Sequence, residues 1–140
     1  MSETKRLLEE VGAILTGHFQ LTSGRHSDTY IQCARVLENP LTTEKLVSKW
    51  VDMLQDLPCD LVIGPAVGGI ILSYELGKQL GKKAIFAERQ EGQLTLRRSF
   101  EIEPHHRVVV VEDVVSTGGS VLGAIDVVEK NGGEVIAVCS

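Results

Sequence analysis

Glu112 and Asp113 stand side by side at the end of the run Val108-Val109-Val110-Val111, and Val114-Val115 lead from them into Ser116-Thr117-Gly118-Gly119-Ser120. Ionised carboxylates only accept hydrogen bonds, so an adjacent pair suits the hydroxyls of a sugar, or a Mg²⁺ that arrives with a phosphorylated ligand. A hydroxyl- and glycine-rich turn at the start of a helix presents backbone N–H groups at the positive end of the helix dipole, which suits a phosphate. Sugar diol and phosphate together describe a ribose 5-phosphate. The same composition also serves in many βα turns simply to reverse the chain and cap a helix. Neither Gly-x-x-x-x-Gly-Lys-Ser/Thr nor Gly-x-Gly-x-x-Gly occurs, so a P-loop lysine and a dinucleotide fingerprint are both absent.

A second glycine-bearing turn, Gly64-Pro65-Ala66-Val67-Gly68-Gly69, follows another apolar strand in the same way. Glycines let backbone amides approach an anion closely, and two such turns can face one ligand, so a pyrophosphate is a sensible guest; a tight structural turn is the plainer reading. Arg89, Arg97 and Arg98 lie in a long charged link and are expected either to close over a polyanion or to form a solvated face. Ser23-Gly24-Arg25-His26-Ser27 reads by itself as a polar turn. His18, His26, His105 and His106 accompany no nucleophile motif and are expected at the surface.

These residues need elements to hold them. Four consecutive valines predict a strand covered on both faces, as in a parallel sheet, because a strand with one wet face would alternate. Strands are predicted at about 60–63, 84–87, 107–111 and 134–139, with helices at about 69–80 and 120–131. Strand–helix–strand crossovers then give a Rossmann-like α/β fold, a parallel sheet flanked by helices, with ligands at the carboxyl ends of the strands. The link at 88–106 replaces the helix that the repeat would require and reads as a lid or a disordered loop. Upstream, Ser2 should cap a helix over Glu3 to Leu15, closed by Gly17. Two short strands, Phe19–Leu21 and Thr29–Cys33, form a small flap, and Asn39-Pro40 opens a helix over about 41–56.

The 140 residues suit one domain, with residues 1–36 as N-terminal helix and hood or flap and 41–140 as the α/β core. Lys and Arg number 14 against 19 Asp and Glu, and a net charge of −5 argues against a nucleic-acid or anionic-membrane partner. No signal-peptide core occurs, and no stretch approaches the roughly 20 apolar residues of a membrane span, so a cytoplasmic protein is expected. Cys33, Cys59 and Cys139 have neither disulfide nor zinc spacing and are assigned to packing.

The apolar strand, Glu112-Asp113, two valines and Ser116-Thr117-Gly118-Gly119-Ser120 resemble the 5-phosphoribosyl 1-pyrophosphate (PRPP) signature of the type I phosphoribosyltransferases. Gly17-His18-Phe19, Leu21-Thr22-Ser23-Gly24-Arg25-His26-Ser27, Ile63 to Gly69, Phe86-Ala87-Glu88-Arg89 and Thr95-Leu96-Arg97-Arg98 extend the likeness, and the Leu-Thr-Ser-Gly-Arg stretch points to the orotate branch of the family. The resemblance implies Mg²⁺-dependent transfer of phosphoribosyl from PRPP to orotate, giving orotidine 5′-monophosphate and pyrophosphate in pyrimidine synthesis, by a homodimer. It implies that Glu112 and Asp113 hold the ribose hydroxyls and Mg²⁺, that Ser116, Thr117, Gly118, Gly119 and Ser120 hold the 5-phosphate with Val114 and Val115 also at the PRPP site, and that Ala66, Val67, Gly68 and Gly69 hold the pyrophosphate. Arg89 and Asp113 would be catalytic, and Thr22, Ser23, Gly24, Arg25 and Thr117 would contact orotate. A purine-base phosphoribosyltransferase would share every phosphate feature, and a non-catalytic ligand-sensing relative would keep the fold alone.

The sequence departs from the family pattern in several places. Thr22 and Gly68 stand where many members carry lysine, and Gln90 and Gln93 occupy a loop that elsewhere carries lysine and histidine, so of the loop roles only that of Arg89 transfers. The family also continues past the equivalent of Ser140 and supplies an arginine to orotate there. On that ground the chain is expected to keep its donor site and to be a weak catalyst unless extended.

Overall fold

The computed structural model describes residues 2–21, 23–115 and 118–140. Helix α1 (Glu3–Glu10) starts as expected, with the Ser2 hydroxyl accepting from Lys5 N at 3.1 Å, but it ends well before Leu15. Gly12 takes φ +70°, and the N–H groups of Gly12 and Ala13 donate to Glu9 O and Leu8 O, the paired bonds of a left-handed helix end. Ile14 and Leu15 continue the apolar stripe at helical spacing, yet they open strand β1 (Ile14–Gln20). Gly17 therefore lies within a strand rather than closing a helix. β1 pairs antiparallel with β2 (His26–Ile31), a flap with longer strands than the sequence predicts and a register shift between Thr16 and Phe19.

A single helical turn, α2 (Ala34–Leu37), precedes α3 (Pro40–Leu54), which begins at the expected signal: the Asn39 side chain accepts from Thr42 N, with proline in the first turn. The remaining elements are β3 (Leu61–Pro65), α4 (Gly68–Leu80), β4 (Lys83–Gln90), β5 (Gln93–Leu96), β6 (Arg107–Val111), α5 (Gly119–Lys130) and β7 (Glu134–Cys139). They build a five-stranded sheet in the order β5-β4-β3-β6-β7. The β3, β4, β6 and β7 pairings are parallel, and β5 is added antiparallel at one edge.

That edge strand corrects the expectation of a disordered loop at 88–106 in its first part. β4 runs on to Gln90, turns through Glu91-Gly92 and returns as β5, with Arg89 opposite Leu94 and Ala87 opposite Leu96. The alternation Gln93-Leu94-Thr95-Leu96 carries the reason, since Leu94 and Leu96, with Phe100 beyond them, pack on the core. Within this link, the turn at Glu91-Gly92 and the stretch from Arg97 to His106 have neither helix nor strand.

The valine run is fully buried on both faces. Val108 and Val110 join Ile63, Ile85, Ala124 and Val128 on the α5 side, while Val109 and Val111 join Val62, Leu76 and Val47 on the α3–α4 side. From β3 the chain crosses to β4 on one side, and from β6 it crosses to β7 on the other. The adjacent carboxyl ends of β3 and β6 are therefore the point where strand order reverses, the place where open α/β sheets leave a ligand crevice.

Candidate functional site

Two strand–turn–helix units meet at that crevice. From Pro65 at the end of β3 the chain passes through Ala66 and Val67, joined by a cis peptide, directly into α4 at Gly68. From Val111 at the end of β6 it passes through Glu112 to Val115, and α5 begins at Gly119 with Gly118 as its N-cap. Ser116 and Thr117, expected on the 5-phosphate, and Thr22, expected on orotate, lie outside the described residues.

The first N–H groups of any α-helix lack intrahelical partners. In α1 and α3 the caps Ser2 and Asn39 satisfy one of them, whereas the N-cap residues of α4 and α5, Val67 and Gly118, make no side-chain cap bond. Among the described residues, then, no side-chain cap covers the first N–H groups of the helices that open at the crevice, and these groups face whatever enters it. Gly118 takes φ +87°, and among the described residues a Cβ there would meet nothing within 4 Å.

The glycines of the first turn divide by role. A Cβ on Gly69 would stand 2.9 Å from Pro65 Cδ, and one on Gly64 would run into Gly69 backbone, so this pair packs the end of β3 against the start of α4. Gly68 faces outward from its own unit, and a Cβ there would lie 2.6 Å from Asp113 Cγ. The two turns are therefore in contact through Gly68 and the Asp113 carboxylate.

The carboxylates are not equivalent. Glu112 is buried, with Oε1 accepting from Asp113 N at 2.9 Å. Burial first, then the hydrogen bond and charge of Asp113, push its carboxyl up to about 7, against the opposing pull of the Asp113 N–H and Arg89. Asp113 accepts from Val114 N through Oδ1 at 2.8 Å, and its carbonyl oxygen accepts from Cys33 Sγ at 3.8 Å. Cys33 is half-buried, and burial with both carboxylates nearby pushes its thiol up to about 11, far from a reactive thiolate. Val67, Val114 and Val115 are exposed around the crevice.

The three arginines of the link separate. Arg89 reaches from β4 to the first turn of α5, Nη2 donating to Ser120 Oγ at 3.1 Å, with Nη1 on Gly92 O at 3.4 Å. Arg98 is held by a two-point pair with Glu88 at 2.8 and 3.0 Å and lies 5.8 Å from the Phe86 ring centroid. Arg97 is exposed. The structure brings Arg89, Ser120, Gly68, Glu112 and Asp113 to one crevice and leaves Arg98 outside it.

Ser23, Gly24 and Arg25 form an exposed turn at the flap, closed by Leu21 N on Arg25 O at 2.7 Å. Among the described residues no hydrogen bond joins them to either of the turns that follow β3 and β6. Sequence reasoning missed the approach of His18 to His26, Nε2 to Nδ1 at 2.8 Å, because it depends on strand pairing across the flap. It also missed an apolar cavity of about 400 Å³ lined by Leu8, Cys33, Val36, Trp50 and Asp113 to Val115. Among the described residues, Lys49 is the one cation in its lining, and the rest are largely apolar.

Comparison with known proteins places this geometry. The phosphoribosyl transferase domain family matches residues 36–140. The orotate phosphoribosyltransferase of Heliobacterium modesticaldum is 54% identical over 131 residues, 91% of this chain and 68% of that protein. That of Desulforamulus reducens is 48% identical over 132 residues, 94% of this chain and 69% of that protein. The crystal structure of orotate phosphoribosyltransferase from Aeropyrum pernix matches with a TM-score of 0.77 at 32% identity, over 97% of this chain and 79% of that one. With one fold, one signature and close relatives along nearly its whole length, the chain belongs to the orotate phosphoribosyltransferases, within the phosphoribosyl transferase domain family.

Proposed function

We propose that the protein transfers phosphoribosyl from PRPP to orotate, giving orotidine 5′-monophosphate and pyrophosphate in pyrimidine synthesis. The observation that carries this reading is the contact of two anion-binding turns through Gly68 and Asp113, with Arg89 bonded to Ser120 at 3.1 Å beside them. In this reading the uncapped start of α5, with Val114 to Ser120, binds the 5-phosphate. Ala66 to Gly69 and the start of α4 bind the pyrophosphate, and Glu112 and Asp113 hold the ribose hydroxyls. Arg89 supplies charge to the donor from the far side. The flap residues Thr22, Ser23, Gly24 and Arg25, with Thr117, receive orotate, so residues 1–36 act as a hood over the 41–140 core.

The site asks for no protein nucleophile. Its residues orient the anomeric carbon toward the ring nitrogen of orotate and exclude water, and positioning of this kind supplies several powers of ten in rate. Mg²⁺ would neutralise charge on the departing pyrophosphate. A hard cation would suit the oxygen donors here: Asp113 would offer a carboxylate at the mouth of the crevice, and Glu112, once ionised, a second beside it. The protein acts in the cytoplasm as a homodimer; the exposed apolar face of Val67, Ile71 and Tyr74 supports the dimer.

Calorimetric titration with orotate, uracil and hypoxanthine, each with PRPP and Mg²⁺ present, tests the reading. Heat with orotate alone of the three, together with formation of orotidine 5′-monophosphate, is the expected result. Binding of hypoxanthine in place of orotate would move the chain to a purine substrate.

A further inference from the structure

Gly123 lies in the middle of α5, where glycine is less favourable than alanine. Its place is explained by what touches it. A Cβ on Gly123 would stand 2.9 Å from Leu94 Cδ1, 3.5 Å from Cγ and 3.7 Å from Cβ, so the Leu94 side chain rests on bare helix backbone. Leu94 is the antiparallel partner of Arg89 in the β4–β5 hairpin, and directly opposed residues project to the same face. That face is the one turned to α5, because Ile85 and Ala87 of β4 share a cluster with Ala124, Val127 and Val128. One turn before Gly123, Ser120 accepts from Arg89. The hairpin thus meets α5 at two successive rungs, an apolar notch and a guanidinium–hydroxyl bond, both supplied by one cross-strand pair.

We infer that Gly123 and Leu94 are positioning residues: the notch sets how closely the hairpin approaches α5, and so carries the Arg89 guanidinium to the first turn of that helix. Neither touches the crevice, and both act through Arg89. The inference rests on the donor-binding reading for its effect on affinity, but not for its effect on geometry. A methyl group at position 123 must move Leu94 Cδ1 by about 0.5 Å or more to restore ordinary van der Waals separation. Cγ and Cβ already stand at ordinary contact, so the strain falls on Cδ1; because Leu94 is also packed against the buried cluster under β4, the strand is expected to retreat with its partner rather than Cδ1 turn into open space. The same methyl favours the helix, so the fold should hold.

The test uses the full chain as wild type, Gly123→Ala, Leu94→Ala and the double variant. For each, melting temperature, PRPP affinity by calorimetry and the Arg89–Ser120 separation in a crystal structure are measured. Gly123→Ala should melt no lower than wild type, lose the Arg89–Ser120 bond and bind PRPP about tenfold more weakly, the lower end of what a charged hydrogen bond supplies. Leu94→Ala should also weaken PRPP binding by releasing the hairpin. Adding Leu94→Ala to Gly123→Ala should restore affinity toward wild type and return Arg89 to Ser120, because the new methyl then fills the notch that the leucine leaves. An intact Arg89–Ser120 bond in Gly123→Ala, or a double variant no better than the single one, overturns the inference. If wild type itself binds no PRPP, the donor-binding reading falls, while the Arg89–Ser120 separations across the four proteins still decide the coupling.

Discussion

At the scale of single residues, Glu112 is the group whose environment works against the fold. An unfolded glutamate ionises near its ordinary value of 4.5, whereas burial beside Asp113 raises the folded carboxyl to about 7. Between those values the folded protein binds the extra proton. Its stability therefore falls as pH rises through this window and stays lower above it. Glu112→Gln keeps the Oε1 acceptor for Asp113 N and removes the titration. The variant should match wild type near pH 4.5 and exceed it above pH 7 by on the order of 2 kcal/mol, read from melting curves at several pH values. A difference that does not change with pH would mean that the fold does not raise this carboxyl. Gly68 is the complementary case: its missing side chain leaves Asp113 its position, so any side chain there requires that carboxylate to stand elsewhere.

At the scale of elements, the β4–β5 hairpin decides how the arginines are used. It turns through two residues, Glu91 at φ 52° and Gly92 at φ 82°, the conformation in which Asn-Gly is strongly preferred. Glutamate is an awkward occupant of the left-handed region, and Glu91 is exposed. Glu91→Asn should stabilise the protein by about 0.5–1 kcal/mol in denaturant unfolding, with PRPP affinity retained. No gain would indicate that the turn adopts another geometry in solution. The hairpin is also where an uncovered charged loop was the natural expectation. Two alternating leucines change that outcome, since they give β5 a face to bury and leave the charge to β4 and the stretch beyond.

At the scale of the whole molecule, the two ends of the sheet have separate duties. The carboxyl ends of β3 and β6 hold the crevice. At their amino ends Asp60 accepts from Arg107 Nε at 2.9 Å, Nη2 at 3.1 Å and backbone N at 2.8 Å. These bonds hold the Asp60 carboxyl well below the usual carboxylate range, with the Arg107 side chain the main cause. A carboxyl depressed in the fold adds stability above its ordinary value of 3.8 and loses it as pH falls below. Asp60→Asn should lower the melting temperature at pH 7, by an amount that shrinks in acid, and leave PRPP affinity unchanged because the pair lies at the other end of the strands. Loss of affinity in this variant would show that the strand ends are coupled.

Much of this protein was settled by residue pattern alone. Four valines in a row require a strand buried on both faces, and a strand that ends in Glu-Asp before a glycine-rich helix start requires the acids and the helix terminus to share one edge. Asn39-Pro40 and Ser2 placed two helix starts for equally local reasons, hydrogen bonds and a fixed backbone angle within a few residues. Pattern misled where local signals conflicted: at Ile14 and Leu15, helical spacing ran past the Gly12 that ends the helix. It was silent where distance along the chain is long. The meeting of Gly68 with Asp113, the different surroundings of two adjacent carboxylates, and the assignment of Arg89 to Ser120 and Arg98 to Glu88 all join segments brought together by sheet order and strand register. Those are properties of the packed sheet, in which each contact exists only because every neighbouring strand is in place.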